Sequence, residues 1–325
     1  MSRSRFSRTA RIIAWALAAT MGEVPQMLAQ EQSGTACLQH RIFPQSLRPD
    51  GLQIGVYDPG GAFRDASDIS IEHVFVPWVD VDLNSFGMTD TYADQRKRKL
   101  LVTLEPWSWS LDQNGGPEEL RDNILNGSYD ATISQACEEI GKFKSPVTIR
   151  WGHEMDLKNG RYPWSDWSPQ DFIDAYRHFV DICRQSAPKA AFMWSPRGER
   201  VLQSFYPGND YVDSIGLSVF GLQSYDEISL GEDRNFTTLF KPSYDRAKKF
   251  GKPIFISEFG CSGDDAYVAG CNDLSVTTLA PFPLLKGVIY YSAVETGEWP
   301  VVFERPDWRV YPQTGRNSSA QACSR

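Results

Sequence analysis

Pro146-Val-Thr-Ile-Arg-Trp-Gly-His-Glu154 is a short run opened by proline, rich in β-branched and aromatic residues, and finished by a carboxylate. Pro253-Ile-Phe-Ile-Ser-Glu-Phe-Gly260 repeats the plan, with Glu258 after its apolar residues. Each reads as a buried strand that ends on a glutamate. The two glutamates lie 104 positions apart (258 − 154), too far for local contact. They can meet if both strands belong to one parallel barrel, because all strands of such a barrel end on the same face.

Working outward, the chain alternates short apolar runs with helical stretches. Strands are predicted at 52–57, 71–77, 100–105, 147–151, 191–194, 215–219, 254–257 and 288–291. A helix is predicted from Ser168-Pro169, with serine as N-cap and proline at the first helical position. It runs through Phe172, Ala175, Tyr176, Phe179 and Cys183 at helical spacing. Two more are predicted over 129–143 and 236–250, the second closed by Gly251. Eight strands with intervening helices give an α/β fold, a single-domain (β/α)8 TIM barrel over residues 30–325. No repeat or shift in composition marks a second domain. The segments after strands three, four, six and seven are long or rich in Gly, Trp and Asp, and become the loops of the active face.

The N-terminus carries Arg3, Arg5, Arg8 and Arg11 ahead of an apolar run from Ile12 to Ala19, with small residues near Ala29. This is the pattern of a signal peptide over 1–29, and it implies a secreted or periplasmic protein. The run is too short to span a bilayer, so no membrane insertion is expected. Without that segment (four Arg and one Glu) the net charge goes from −8 to about −11. This argues against nucleic acid or an anionic membrane surface as partner, since both call for basic patches. Six cysteines in an exported chain suggest disulfides. The preferred pairings are Cys261–Cys271, Cys137–Cys183 and Cys37–Cys323. No Cys-x-x-Cys occurs and the four histidines are scattered, so neither a metal nor a cofactor is expected. The absence of Gly-x-Ser-x-Gly and of a glycine-rich phosphate loop argues against a serine hydrolase and a nucleotide-binding protein.

Two glutamates across one barrel mouth are the equipment for cleaving a glycosidic bond. By strand alternation Arg150, Gly152 and Glu154 point one way, with Trp151 and His153 pointing the other. An inward Arg150 either serves the site or fills the barrel as a buried ion pair. His153 either fixes Glu154, donates to a sugar hydroxyl, or is structural. Glu105, ending strand three in Leu-Glu-Pro-Trp107, either contacts substrate or pairs with an arginine. The 10 tryptophans divide between core packing and sugar platforms. Trp164 in the turn-rich loop after Glu154 is the leading platform candidate. Trp78 and Trp107 follow strands, and Trp151 or Trp194 are candidate apolar walls for Glu154.

In order along the chain stand Arg150 with His153-Glu154-Met155, Tyr162-Pro163-Trp164, Trp194-Ser195-Pro196, Tyr206-Pro207-Gly208-Asn209-Asp210-Tyr211-Val212-Asp213 with Ile215-Gly216, Lys252-Pro253-Ile254 through Glu258-Phe259-Gly260, and Asp307-Trp308-Arg309. In these the chain resembles glycoside hydrolase family 26, the β-mannanase-type branch of the clan A retaining glycosidases, over nearly the whole mature chain. The resemblance implies Glu154 on strand four as acid/base and Glu258 on strand seven as nucleophile. It makes His153 the histidine beside the acid/base, and it places Trp164, Trp299 and Trp107 in regions that hold sugar rings. Arg150, Tyr162, Trp194, Phe220 and Glu105 complete the expected substrate-binding set. The implied activity is a monomeric endo-hydrolase of a β-linked polysaccharide, mannan-type or bacterial exopolysaccharide, working by double displacement with carboxyls about 5–5.5 Å apart. Two departures bear on it. The family usually ends strand six with a tyrosine that orients the nucleophile, where this chain has Phe220, so another donor such as Arg150 must hold Glu258. Asp156 follows Met155 where mannanases commonly have asparagine-glycine. Phe220 also leaves open a different class, a barrel that binds polysaccharide without cleaving it.

Overall fold

Eight parallel strands pair in chain order and the last returns to the first, closing a barrel. They are β1 (Gln53–Tyr57), β2 (Ile71–Pro77), β3 (Lys99–Glu105), β4 (Val147–Trp151), β5 (Ala191–Trp194), β6 (Ser214–Leu222), β7 (Ile254–Ser262) and β8 (Leu285–Tyr291). The computed structural model describes residues 45–79, 82–107, 115–295 and 299–312. The expected (β/α)8 architecture is therefore the observed one. Strands β6 and β7 run further than the sequence suggests, because Phe220, Gly221 and Leu222 pair with Gly260, Cys261 and Ser262. Glycines and serines in that stretch carry little strand signal, yet their backbone groups complete the ladder.

Helices α1 (Leu83–Gln95), α2 (Pro117–Leu125), α3 (Asp130–Gly141), α4 (Pro169–Ser186), α5 (a single turn, Gln223–Tyr225), α6 (Phe236–Ala247), α7 (Asp265–Cys271) and α8 (Val276–Leu279) follow in order. Helix α4 starts where the sequence predicts. The Ser168 hydroxyl accepts the Asp171 N–H at 3.1 Å, and Pro169 needs no partner for a missing donor. Its buried stripe is Phe172, Ala175, Tyr176, Phe179, Val180 and Cys183. Helix α6 opens on a reciprocal cap between Asn235 and Thr238 and runs into a tighter turn, Lys248–Phe250, stopped by left-handed Gly251.

Strand alternation sorts the core into two compartments. Ile149 and Trp151 of β4 face outward, where Trp151 stacks on Phe179 of α4 at 5.1 Å between ring centres. The lower interior of the barrel is a separate apolar plug of Ile71, Leu101, Met193 and Ile289 with Phe255 against it. Gly216 belongs to this interior, where a Cβ would come within 2.6 Å of the Met193 sulfur.

Among the described residues two disulfides are formed. Cys137–Cys183 ties α3 to α4 and Cys261–Cys271 ties the end of β7 to α7, both as expected. Cys37, Cys323 and the signal segment lie outside the described residues. The bridges span 46 and 10 positions. Loop-closure entropy assigns about 4 kcal/mol to the first and about 3 kcal/mol to the second. Paired Cys→Ser replacement at 137/183 is expected to lower the unfolding free energy in denaturant titration more than replacement at 261/271. The reverse order would show that native packing, not chain entropy, sets their contributions.

Candidate active site

The C-terminal ends of the strands open on a cleft of about 710 Å3. Glu154 and Glu258 both line it, with Tyr57, Phe75, Glu105, Trp107, Tyr162, Phe220, Tyr291, Trp299 and Trp308 among the walls. Two backbone irregularities bring the carboxylates there. Strand β4 stops at Trp151, and both Gly152 (φ +56°) and Glu154 (φ +55°) are left-handed. The alternation expected from Arg150 through Glu154 therefore ends at Trp151. A non-glycine residue in this region is strained and is held by its surroundings. Here the Glu154 N–H donates to the Ser195 carbonyl at 2.8 Å, tying the turn to the strand β5 side.

The second irregularity is a β-bulge in β7. Ile256 pairs with Leu217, but the next pair is Glu258 with Ser218, so Ser257 is an extra residue. The register against β8 slips over the same stretch. Ile254 and Ile256 face the outer core and Phe255 the inner plug. Regular alternation would send Glu258 outward with the isoleucines. The bulge lets Ser257 and Glu258 both face inward, which is how bulges re-aim side chains beside functional sites.

Beneath the carboxylates is a polar layer centred on Arg150, which has no exposed surface. Its Nε donates to Ser195 Oγ at 2.8 Å and its Nη1 to Thr103 Oγ1 at 3.2 Å. Ser195 Oγ lies 3.2 Å from Ser257 Oγ, and His73 Nε2 2.7 Å from Thr103 Oγ1. Nη2 reaches Glu258 Oε1 at 2.7 Å as a close ion pair, without hydrogen-bond alignment. Burial pushes the Glu258 carboxyl above its usual range. The Arg150 charge opposes that rise and the nearby Glu154 adds to it. His153 and His73 are held well below the usual histidine range by burial, with Arg150 adding to both shifts, so both rings are neutral. Burial raises the hydroxyls of Tyr57, Tyr162 and Tyr291, which therefore keep their protons.

The remaining predicted residues divide. Glu105 is 5% exposed and accepts Trp107 Nε1 at 3.1 Å; His153 Nε2 lies 3.9 Å from its other oxygen. His153 is buried against Phe75 and Tyr162. Trp107 and Trp299 are partly open to the cleft. Phe220 lies in the wall, packed on Trp308 at 4.9 Å. Trp164 has no exposed surface: it stacks on Tyr162 at 4.8 Å and its Nε1 donates to the His153 carbonyl at 2.6 Å. It backs the site and offers no face to a sugar. Trp194 follows inward-facing Met193, so it points out of the barrel onto Tyr206 and Phe250. Trp151 points outward for the same reason, and Trp78 is buried beside it at 6.0 Å. None of these three walls the cleft.

The sequence offered no sign of Tyr57, Phe75 and Tyr291 as site residues beyond their position: Tyr57 and Tyr291 end predicted strands and Phe75 stands two residues before the end of another, all on the inward parity. Nor did it mark Arg161, Arg197 and Glu295, whose loops give no periodic signal.

Residues 110–258, which include both carboxylates, match the sequence pattern described as glycosyl hydrolase family 26. Over that stretch the chain is similar to the members of this family. Curated relatives include a β-1,3-xylanase (TXYA) of a Vibrio species, 29% identical over 143 residues, covering 42% of this chain and 28% of the relative. A mannan endo-1,4-β-mannosidase of Bifidobacterium adolescentis is 22% identical over 209 residues, covering 57% and 21%. The chain spans about a quarter of the length of the curated relatives it matches. Among solved structures, a modular endo-β-1,4-mannanase from Cellulomonas fimi superposes with a TM-score of 0.58 at 14% identity, over 84% of this chain and 70% of that one. A family 26 β-mannanase from Bacteroides ovatus gives 0.57 at 14% identity, over 79% and 84%. At such identities these structures show the shared barrel.

Arg150 is thus the buried cation on which the ionisation of Glu258 depends in this barrel. Arg150→Met is expected to move the Glu258 carboxyl titration, followed by NMR with 13C-labelled glutamate, to still higher pH. It should also destabilise the fold by about 3–5 kcal/mol, as removal of one partner from a buried pair does. An unchanged midpoint would mean that the guanidinium does not act on Glu258.

Proposed function

We propose that the chain is a retaining endo-glycoside hydrolase acting on a β-linked polysaccharide. The observation that carries this reading is the convergence of Glu154 and Glu258, from opposite sides of the barrel, on one aromatic-lined cleft. Only Glu258 of the two rests on a buried cation, and that charge offsets part of the burial cost of the ionised form needed by a nucleophile.

In the first step the Glu258 carboxylate attacks the anomeric carbon and the bond to the leaving oxygen breaks. The proton of Glu154 passes to that oxygen. In the second step a water attacks the same carbon, gives its proton to Glu154, and releases the Glu258 carboxylate. Trp107 and Trp299 offer faces for sugar rings, and the hydroxyls of Tyr57 and Tyr291 offer donors and acceptors. Xylan and mannan, the substrates in the relatives' names, are the first polymers to try. Export fits the two disulfides, which persist in oxidising compartments.

Activity on a β-aryl glycoside and a polysaccharide panel tests the reading. Glu258→Ala should lose about four orders of magnitude in turnover. Glu154→Ala should regain activity with azide and give a β-glycosyl azide. Near-normal turnover of Glu258→Ala would remove the nucleophile, and binding without release of reducing ends would favour a non-catalytic binder.

A further inference from the structure

Four arginines border the cleft or its floor among the described residues, and three of them face a carboxylate. Arg150 meets Glu258, Arg161 lies 3.8 Å from Glu295, and Arg234 holds the buried Asp226 through Nε at 2.8 Å and Nη2 at 2.6 Å. Arg197 lines the same cleft without a carboxylate partner among the described residues. Its Nη1 donates to the Ser218 carbonyl at 2.5 Å, and its guanidinium carbon stands 5.9 Å over the Phe220 ring.

The position of Arg197 is built rather than incidental. Asp156, just 2% exposed, accepts the backbone N–H groups of Arg197 at 2.6 Å, Gly198 at 3.0 Å and Glu199 at 2.7 Å. A buried carboxylate thus spends its hydrogen-bonding capacity on fixing the loop that carries the arginine. The same three bonds lower the Asp156 carboxyl against the rise that burial causes. Glu105, Glu154, Glu258 and Glu295 stand on the strand 3, 4, 7 and 8 sides of the cleft. Arg197 and Arg234 stand on the strand 5 and 6 side, where Glu199 is the acidic neighbour among the described lining residues.

We propose that Arg197 forms a subsite for a carboxylate carried by the polysaccharide, as on a uronic acid or a pyruvylated sugar. The proposal rests on the polysaccharide reading above and names the substrate class. The guanidinium is half-buried. A seated sugar chain displaces its remaining water, and a desolvated cation then requires a counter-charge. A neutral chain would leave it with one carbonyl and the face of a phenylalanine. A carboxylate matches the planar fork of the guanidinium with two parallel hydrogen bonds.

The test is calorimetric binding of fragments of glucuronoxylan, alginate and xanthan, each beside its carboxyl-reduced counterpart. At least one acidic member should bind about tenfold tighter than its reduced form. That advantage should shrink with added salt. Arg197→Gln, which keeps amide donors and removes the charge, should bring the ratio to about one, whereas Arg197→Lys should retain part of it. The assignment fails if no pair favours the acidic member, or if Arg197→Gln keeps the full preference, as it would were the side chain a donor to neutral hydroxyls. A preference for the acidic member without release of reducing ends supports the subsite and overturns the hydrolase reading. Release of reducing ends with no such preference does the opposite.

Discussion

A guanidinium with no exposed surface sits in the middle of the barrel, and the upper half of the molecule is arranged around it. Arg150 cannot shed its charge, so the fold must supply acceptors and a counter-ion. Ser195 and Thr103 supply the acceptors from neighbouring strands, and Glu258 supplies the charge. The apolar plug below seals that layer from the barrel floor. The same interaction that makes the cation tolerable keeps an acidic group, desolvated at the cleft floor, within reach of ionisation.

That pairing needs backbone irregularity. In an ideal strand β7 the carboxylate would share a face with Ile254 and Ile256 and enter the outer core, where an uncompensated charge is not tolerated. One extra residue, Ser257, changes the parity, and its hydroxyl joins the polar layer through Ser195. On the opposite side, the left-handed Gly152 and Glu154 turn the chain off β4 early. Glu154 then comes to the cleft, with His153 buried beside it against Phe75 and Tyr162. Trp164 braces this turn from behind through the His153 carbonyl.

The departures from the family pattern have local structural consequences. Phe220 offers no hydroxyl, and its ring packs against Trp308 and Tyr291 as part of an aromatic wall while Arg150 holds Glu258 from below. Asp156 turns away from the two cleft carboxylates and fastens the loop after β5, setting Arg197 on the rim. Both substitutions therefore reshape the wall around the carboxylates and leave their placement on β4 and β7 intact.

The sequence by itself determined the barrel, because eight apolar runs separated by helical stripes have few other ways to bury their faces. It determined which two carboxylates stand at strand ends, and that α4 begins at Ser168. It also gave both described disulfides. It could not place the tryptophans. Trp151, Trp164 and Trp194 read as site residues by proximity along the chain, yet strand parity and loop packing bury all three. Tertiary structure alone decided the aim of Glu258 and Glu154, since a one-residue bulge and a left-handed turn leave no periodic trace. It also decided the polar layer, whose members come from β2, β3, β4, β7 and the residue after β5 and meet solely because the barrel closes.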